Sequence, residues 1–242
     1  MTKVLNVHLL PELANPHELA GHTSVVIDVL RASTTITTAL ENGASNIVPC
    51  LAVEEARQLG ADREGALLGG ERGGKPLQGF DFGNSPAEYT VDRVAGKTIV
   101  FTTTNGTKAM MRCMGSARIL IASLVNRAAV CEELAADDDS KQIDILCAGT
   151  NGEFSMEDSL AAGAIVDGLL QRESDGWEFN DGAQISRTLW QADRDDIESS
   201  LARSRGGRNL IEIGMRDDLK LAAAVDQFAR VPAIDKAVWE IR

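Results

Sequence analysis

Short runs of β-branched and aliphatic residues alternate along this chain with Ala- and Leu-rich stretches whose apolar positions recur at helical spacing. The short runs predict strands over residues 4–8, 24–29, 46–49, 66–68, 98–102, 118–122 and 143–147. The longer stretches predict helices over 33–42, 53–59, 105–114, 127–136 and 156–172. Ser33, Asn105, Asn126 and Ser155 stand where side-chain oxygens can accept from the first free amides of these helices, and Gly43, Gly60 and Gly115 stand where helices stop. Strand and helix in alternation imply a three-layer α/β/α fold around a mostly parallel or mixed sheet, here as one unit over 1–242. Between 173 and about 207 the composition shifts to Asp-rich sequence carrying Trp177 and Trp190, which suggests an added helical cap or a smaller C-terminal subdomain. The chain is expected to return through 209–214, a helix from 217 to about 228 and a closing apolar stretch over 231–241.

Composition narrows the function. The chain has 242 residues, 44% of them apolar, and a formal charge of −12. That is enough to bury a core, and it argues against a disordered or fibrous chain. With no block of Lys and Arg, the surface should repel nucleic acid and anionic lipid. No apolar run is long enough to span a membrane and the first residues do not read as a signal segment, so a cytoplasmic location is expected. Cys50, Cys113, Cys131 and Cys147 form no closely spaced pair, and His8, His17 and His22 have no ligand spacing. Buried free thiols and surface histidines are therefore expected. Asp137 to Asp139 reads as a solvated turn.

Chemistry-bearing residues gather at the carboxyl ends of the strands. The strand at 24–29 runs into Asp28-Val29-Leu30-Arg31-Ala32-Ser33-Thr34-Thr35, and that at 66–68 into Gly69-Gly70-Glu71-Arg72-Gly73-Gly74. The strand at 98–102 leads to Thr103-Thr104-Asn105-Gly106-Thr107, and that at 143–147 to Ala148-Gly149-Thr150-Asn151-Gly152. Ligands of open α/β sheets bind at this carboxyl edge. The Thr-rich loop offers amides and hydroxyls to an anion at a helix start, and Arg31 and Arg72 offer forked donors to phosphate or sulfonate. Asp28, Glu71, Asp81, Glu157 and Asp158 supply hard oxygens of the kind that suit Mg²⁺. Cations and carboxylates in one pocket point to phosphoryl chemistry with a divalent ion.

Each feature has a plainer reading. Asp28 could cap a helix or pair with Arg31, although a carboxylate at the end of an apolar strand is costly without a task. Glu71-Arg72 could be a salt-bridged turn, and Phe80 and Phe82 anchors of a loop. Glu157 could serve as a favourable charge in a first helical turn. Two motifs fail outright: Gly69 to Lys75 matches part of a phosphate-binding loop, but Pro76 replaces its hydroxyl residue, and Asp28-Val29-Leu30-Arg31 lacks the second aspartate of an aspartyl phosphatase.

Taken together, these segments resemble the 2-phosphosulfolactate phosphatases, the ComB family. The likeness rests on Val26 to Thr35, Gly70 to Gly74, Phe82-Gly83-Asn84-Ser85-Pro86, Thr102 to Thr107, Cys147-Ala148-Gly149 and Glu157 to Gly163, and extends to Gly214, Asp218-Leu219, Asp226 and Val231-Pro232. The resemblance implies a Mg²⁺-dependent hydrolysis of 2-phospho-3-sulfolactate to 3-sulfolactate and phosphate, a step towards coenzyme M. It implies catalytic roles for Asp28, Arg31 and Asp158, and substrate contacts from Ser33, Thr34, Arg72, Asn84, Ser85, Thr103, Thr104, Asn105, Gly106 and Thr107. Asp28 and Asp158, with Glu71, Asp81 or Glu157 nearby, are the expected metal ligands. A metal-activated water or a carboxylate such as Asp28 could attack, and the residues leave both open. They also leave open another phosphorylated carboxylic acid as substrate, and a non-enzymatic protein that binds an anionic metabolite. The small residues Ala161-Ala162-Gly163-Ala164 would allow close packing in the core or across a homo-oligomer interface.

Overall fold

A computed structural model of the chain describes residues 3–137, 140–172 and 176–242. Two of the residues in the acidic turn expected at 137–139, and the first three of the segment 173–207, lie outside the described residues. In chain order the elements are β1 (Lys3–His8), β2 (Thr23–Ile27), α1 (Ala32–Glu41), β3 (Asn46–Cys50), α2 (Val53–Ala61), β4 (Leu67–Arg72) and β5 (Lys75–Pro76). Next come α3 (Val91–Val94), β6 (Thr98–Thr102), α4 (Gly106–Arg112), β7 (Arg118–Ala122), α5 (Arg127–Ala135), β8 (Gln142–Cys147) and α6 (Met156–Arg172). The last part holds β9 (Trp177–Phe179), α7 (Asp181–Asp193), α8 (Ile197–Arg203), α9 (Arg205–Glu212), α10 (Asp217–Ala222), β10 (Ile234–Asp235) and β11 (Glu240–Ile241).

The strands form two sheets rather than one. The first, in the order β7-β2-β8-β1-β9, is parallel throughout. The second, β10-β11-β3-β6-β4-β5, is parallel at its centre and antiparallel at both edges. The first sheet is covered on both faces, which is why β2 is buried at all five positions instead of alternating. One face, with Val25, Ile27, Leu120 and Ile145, packs under α5 and α6. The other, with Val26, Ile119, Ile121 and Leu146, meets Ile36 and Leu40 of α1, Met110 of α4, and Ile47, Ile99 and Phe101 of the second sheet. This is the three-layer α/β/α arrangement, with the second sheet added beyond its α1 and α4 layer. Val48, Cys50 and Val100 on that sheet's far side pack on Ala56 of α2.

The closing apolar stretch is the seam between the sheets. Ile121 N donates to Pro232 O at 2.8 Å beside a bridge from Leu120 to Ala233, and the chain then enters β10 and β11 against β3. Helices α7 and α8 lie within the Asp-rich region and α9 runs from its end into the stretch 209–214, and their buried Ala183, Trp190, Leu201 and Leu210 join the core under the first sheet. Helix α7 packs directly on α6. The helix expected from 217 to about 228 ends at Ala222.

The expected caps resolve differently. Helix α1 starts one residue early, at Ala32, and Ser33 Oγ turns back to accept from Asp28 N at 2.9 Å. Asn126 closes a 3₁₀ turn over Leu124–Asn126 by accepting from Ser123 N at 2.8 Å, and Asn105 accepts from Asn151 N at 3.3 Å. Ser155 Oγ has no hydrogen-bond partner among the described residues.

Candidate active site

The carboxyl ends of four strands converge on one cavity of about 290 Å³. Strands β2 and β8 come from the first sheet and β4 and β6 from the second, so the cavity sits where the two sheets meet. Asp28, Leu30 and Arg31 line it from the β2–α1 loop, Glu71, Gly73 and Gly74 from the β4–β5 hairpin, and Thr104 and Asn105 from the β6–α4 loop. Thr150 and Asn151 come after β8, Asn84 adds one wall, and α9 supplies Arg205, Gly206, Asn209 and Leu210. Glycines of the hairpin set this geometry. Gly70 lies so close to β6 that a Cβ there would fall 2.1 Å from Thr102 O, and Gly73 and Gly74, at φ +62° and +81°, make the two-residue turn that links β4 to β5.

Asp28 is the buried carboxylate of the floor. It leaves β2 as the strand ends, and its Oδ1 accepts from Ala32 N at 3.3 Å, so it also anchors the start of α1. The cap role read from the sequence is therefore present. Burial, with Glu71 and Glu157 as negative neighbours, pushes its carboxyl up to about 7, against the amides of Ala32 and Gly106 that pull it down. Burial likewise raises Glu157, and burial with the charges of Asp28 and Glu157 raises Asp158.

Arg31 is 3% exposed and held from two sides. Its Nη1 donates to Asp218 Oδ2 and its Nη2 to Gly74 O, both at 2.7 Å. Asp218, on α10, accepts in addition from Ser85 Oγ at 2.6 Å. The Leu30–Arg31 peptide is cis. Glu71 spans the hairpin and the threonine loop: Oε1 accepts from Thr104 N and Oγ1 at 3.1 and 3.2 Å, and Oε2 from Gly74 N at 2.7 Å.

Several expected site residues lie elsewhere. Asp81 is exposed and accepts from Leu68 N at 2.8 Å, at the start of β4 rather than its end. Arg72 turns from the cavity to donate to Leu51 O, Glu71 O and Thr102 Oγ1, because the side chains of a strand alternate between faces and Glu71 takes the inner one. Asp158 is a clamp behind the floor, accepting from Val29 N at 2.8 Å and Gly149 N at 3.0 Å, which ties the loop after β2 to that after β8. Ser33, Thr34, Thr103 and Thr107 are buried and bonded within their loops: Thr34 Oγ1 reaches Val29 O, and Thr103 and Thr107 share a hydroxyl contact of 3.2 Å. Gly106 backs Asp28, since a Cβ on it would come 2.9 Å from Asp28 Oδ2. Ser85 acts through Asp218, as above, while Asn84, Thr104, Asn105, Asp28, Arg31 and Glu71 line the cavity together.

The strand-end pattern of the sequence does not point to the α9 wall. The signal for it is Gly206-Gly207 inside an otherwise helical stretch, since adjacent glycines weaken a helix unless something approaches closely. A Cβ on Gly206 would lie 2.2 Å from Glu157 Oε1.

Among the described residues no three His, Cys, Asp or Glu side chains form a ready-made metal cage. The donor set nevertheless suits a hard cation that keeps part of its water shell. Asn84 Oδ1 and Glu157 Oε2 are buried oxygens without a donor among the described residues, and the carboxyls of Asp28 and Glu157 are destabilised by burial, that of Asp28 by Glu157 as well. A cation near Asp28 would relieve that repulsion.

Comparison with known proteins covers the same stretch of the chain. A family model described as 2-phosphosulpholactate phosphatase matches residues 8–237, which takes in every cavity residue. A probable 2-phosphosulfolactate phosphatase of Symbiobacterium thermophilum is 45% identical over 217 residues, covering 89% of this chain and 92% of the relative. Those so named in Thermotoga maritima and Clostridium acetobutylicum are 41% and 39% identical, each over about nine-tenths of both chains. With the match taking in every residue that lines the cavity, the chain belongs to the 2-phosphosulpholactate phosphatase family.

Proposed function

We propose that this chain hydrolyses 2-phospho-3-sulfolactate to 3-sulfolactate and phosphate, with Mg²⁺ as its cofactor, in the cytoplasm. The observation that carries the reading is that a buried carboxylate, Asp28, and a buried guanidinium, Arg31, line one small polar cavity in a member of this family. The names of the relatives supply the substrate.

Asp28, with the unpartnered oxygen of Asn84 and water, would hold Mg²⁺ in the cavity, while Glu71 stays engaged with Thr104 and Gly74. When bound, the ion supplies positive charge to the transferring phosphoryl oxygens and lets a dense set of carboxylates share a site with an anion. Arg31 is aimed by Asp218 and Gly74 O, so it meets the phosphoryl group without first giving up side-chain freedom. The amide and hydroxyl of Thr104 are fixed by Glu71, which keeps the β6–α4 loop closed against the hairpin. Asp28 sits where its carboxylate can orient the attacking oxygen. None of the described helices is long and apolar enough to cross a membrane.

The test is phosphate release from 2-phospho-3-sulfolactate with Mg²⁺ and with EDTA, alongside phosphoglycerate, phospholactate and an aryl phosphate. Turnover that EDTA abolishes and that favours the sulfonated substrate is expected. An Asp28→Asn enzyme should lose at least about a hundredfold in kcat. Undiminished turnover by that variant would remove Asp28 from the mechanism, and activity that ignores EDTA would remove the metal.

A further inference from the structure

The cavity lining contains two guanidinium groups, and they are held in opposite ways. Arg31 is buried on the floor, and its two terminal nitrogens are committed to Asp218 and Gly74. Arg205 stands on the α9 wall, 41% exposed, with its Nη1 on the carboxylate of Glu153. Glu153 is itself 72% exposed, so this ion pair lies in water, where such pairs contribute little and exchange partners readily.

The backbone beneath Arg205 is fixed where its side chain is not. Ser204 Oγ accepts from Gly207 N at 3.0 Å and donates to Leu201 O at 2.7 Å, which locks the first turn of α9. Gly206 seats that turn against buried Glu157. A rigid base, a mobile forked cation and a counterion that water can replace are what a subsite for an exchangeable anion requires. Asn151, whose amide is held by Asn105, lies across the same end of the cavity.

We propose that Arg205 is a specificity-determining residue: it leaves Glu153 to bind the anionic group of the substrate that is not transferred, the sulfonate or carboxylate of the organic acid. The assignment rests on the phosphatase reading above for the identity of that acid. Electrostatics require some such group. A substrate carrying a phosphate and two further acids enters a cavity already lined by Asp28 and Glu71, in a chain of charge −12. Arg31 and a bound cation serve the phosphoryl end, and Arg205 is the remaining cation of the lining among the described residues. The volume of about 290 Å³ suits a small ligand recognised by charge rather than by apolar contact.

The experiment is calorimetric titration of the wild type, Arg205→Gln and Glu153→Gln with 3-sulfolactate and, separately, with inorganic phosphate, in Mg²⁺. Arg205→Gln should weaken 3-sulfolactate about ten- to hundredfold, and at least tenfold more than it weakens phosphate. Glu153→Gln, which removes the competing counterion, should tighten 3-sulfolactate. Equal losses for both ligands, an unchanged 3-sulfolactate affinity in Arg205→Gln, or no binding of 3-sulfolactate by the wild type would each overturn the assignment. Failure of the phosphatase reading shows separately, as absence of phosphate release by a wild type that still binds 3-sulfolactate through Arg205.

Discussion

Asp218→Asn tests how the C-terminal helices serve a site built mainly by the first half of the chain. Asp218 is buried and accepts two hydrogen bonds, from Arg31 Nη1 at 2.7 Å and Ser85 Oγ at 2.6 Å, one on each oxygen. Asparagine keeps the shape but has one acceptor and one donor head, so either Arg31 or Ser85 must face an N–H. If Arg31 loses its acceptor, a buried charged donor goes unpaired, at a cost of roughly 1.5–3 kcal/mol. Truncation to alanine removes both contacts and should cost about 3–5 kcal/mol, the usual penalty for breaking a buried ion pair. For a chain of this length, Asp218→Asn should lower Tm by roughly 3–12 °C, taking about 2–4 °C per kcal/mol. The catalytic consequence is separable from the thermal one. With Arg31 no longer aimed, kcat should fall about ten- to hundredfold at temperatures where the variant is fully folded, with KM changed much less. Thermal unfolding by circular dichroism and steady-state phosphate release measure the two effects. An Asp218→Asn protein with wild-type Tm and wild-type kcat would refute the reasoning, and a lowered Tm with unchanged kcat would reduce Asp218 to a structural brace.

Gly163→Ala should destabilise by about 1–3 kcal/mol, because the added Cβ would lie 1.9 Å from Ser186 O on α7; an unshifted urea midpoint would show that α6 and α7 do not cross so closely. Asp144, buried between His8 and His22 at 3.0 Å from each, is held below the usual carboxylate range: burial alone would raise it, but donors from His8, Asn6 and His22 outweigh burial. Its folded pKa is depressed, so its contribution is complete above the ordinary carboxylate range and is lost as pH falls through the folded value. The stability gap between wild type and Asp144→Asn should therefore close as pH falls below the ordinary carboxylate range, and a gap that widens there would contradict this. All four cysteines are buried, with burial pushing Cys50 and Cys131 up to about 11, Cys113 to about 12 and Cys147 well above the ordinary thiol value. Native protein should therefore react negligibly with a thiol reagent at pH 8 and yield four equivalents after unfolding in guanidinium, and rapid native labelling would place a thiol at the surface.

The local order of this protein is legible in its sequence because short-range physics fixes it. Apolar runs of strand length cannot be left in water, and glycines and prolines mark where they must stop, so β3, β6, β7 and α6 fall where the hydrophobic pattern puts them. The same pattern places Asp28, Glu71, Thr104 and Asn151 at the carboxyl edge of the sheet, where the cavity is found. What the pattern does not carry is which strands pair. Hydrogen bonding between strands is made by backbone groups that every residue shares, so the division into two sheets, and the meeting of their carboxyl edges at one cavity, is settled only by packing. Side-chain direction is lost for the same reason: Glu71 and Arg72 are adjacent and equally polar, yet one faces the cavity and the other the loop at Leu51. Partners remote in sequence are lost altogether. Arg31 and Asp218 lie 187 residues apart, and Arg205 reaches the site from a helix that the strand-end pattern does not single out, because long-range contacts depend on chain closure that no local window contains.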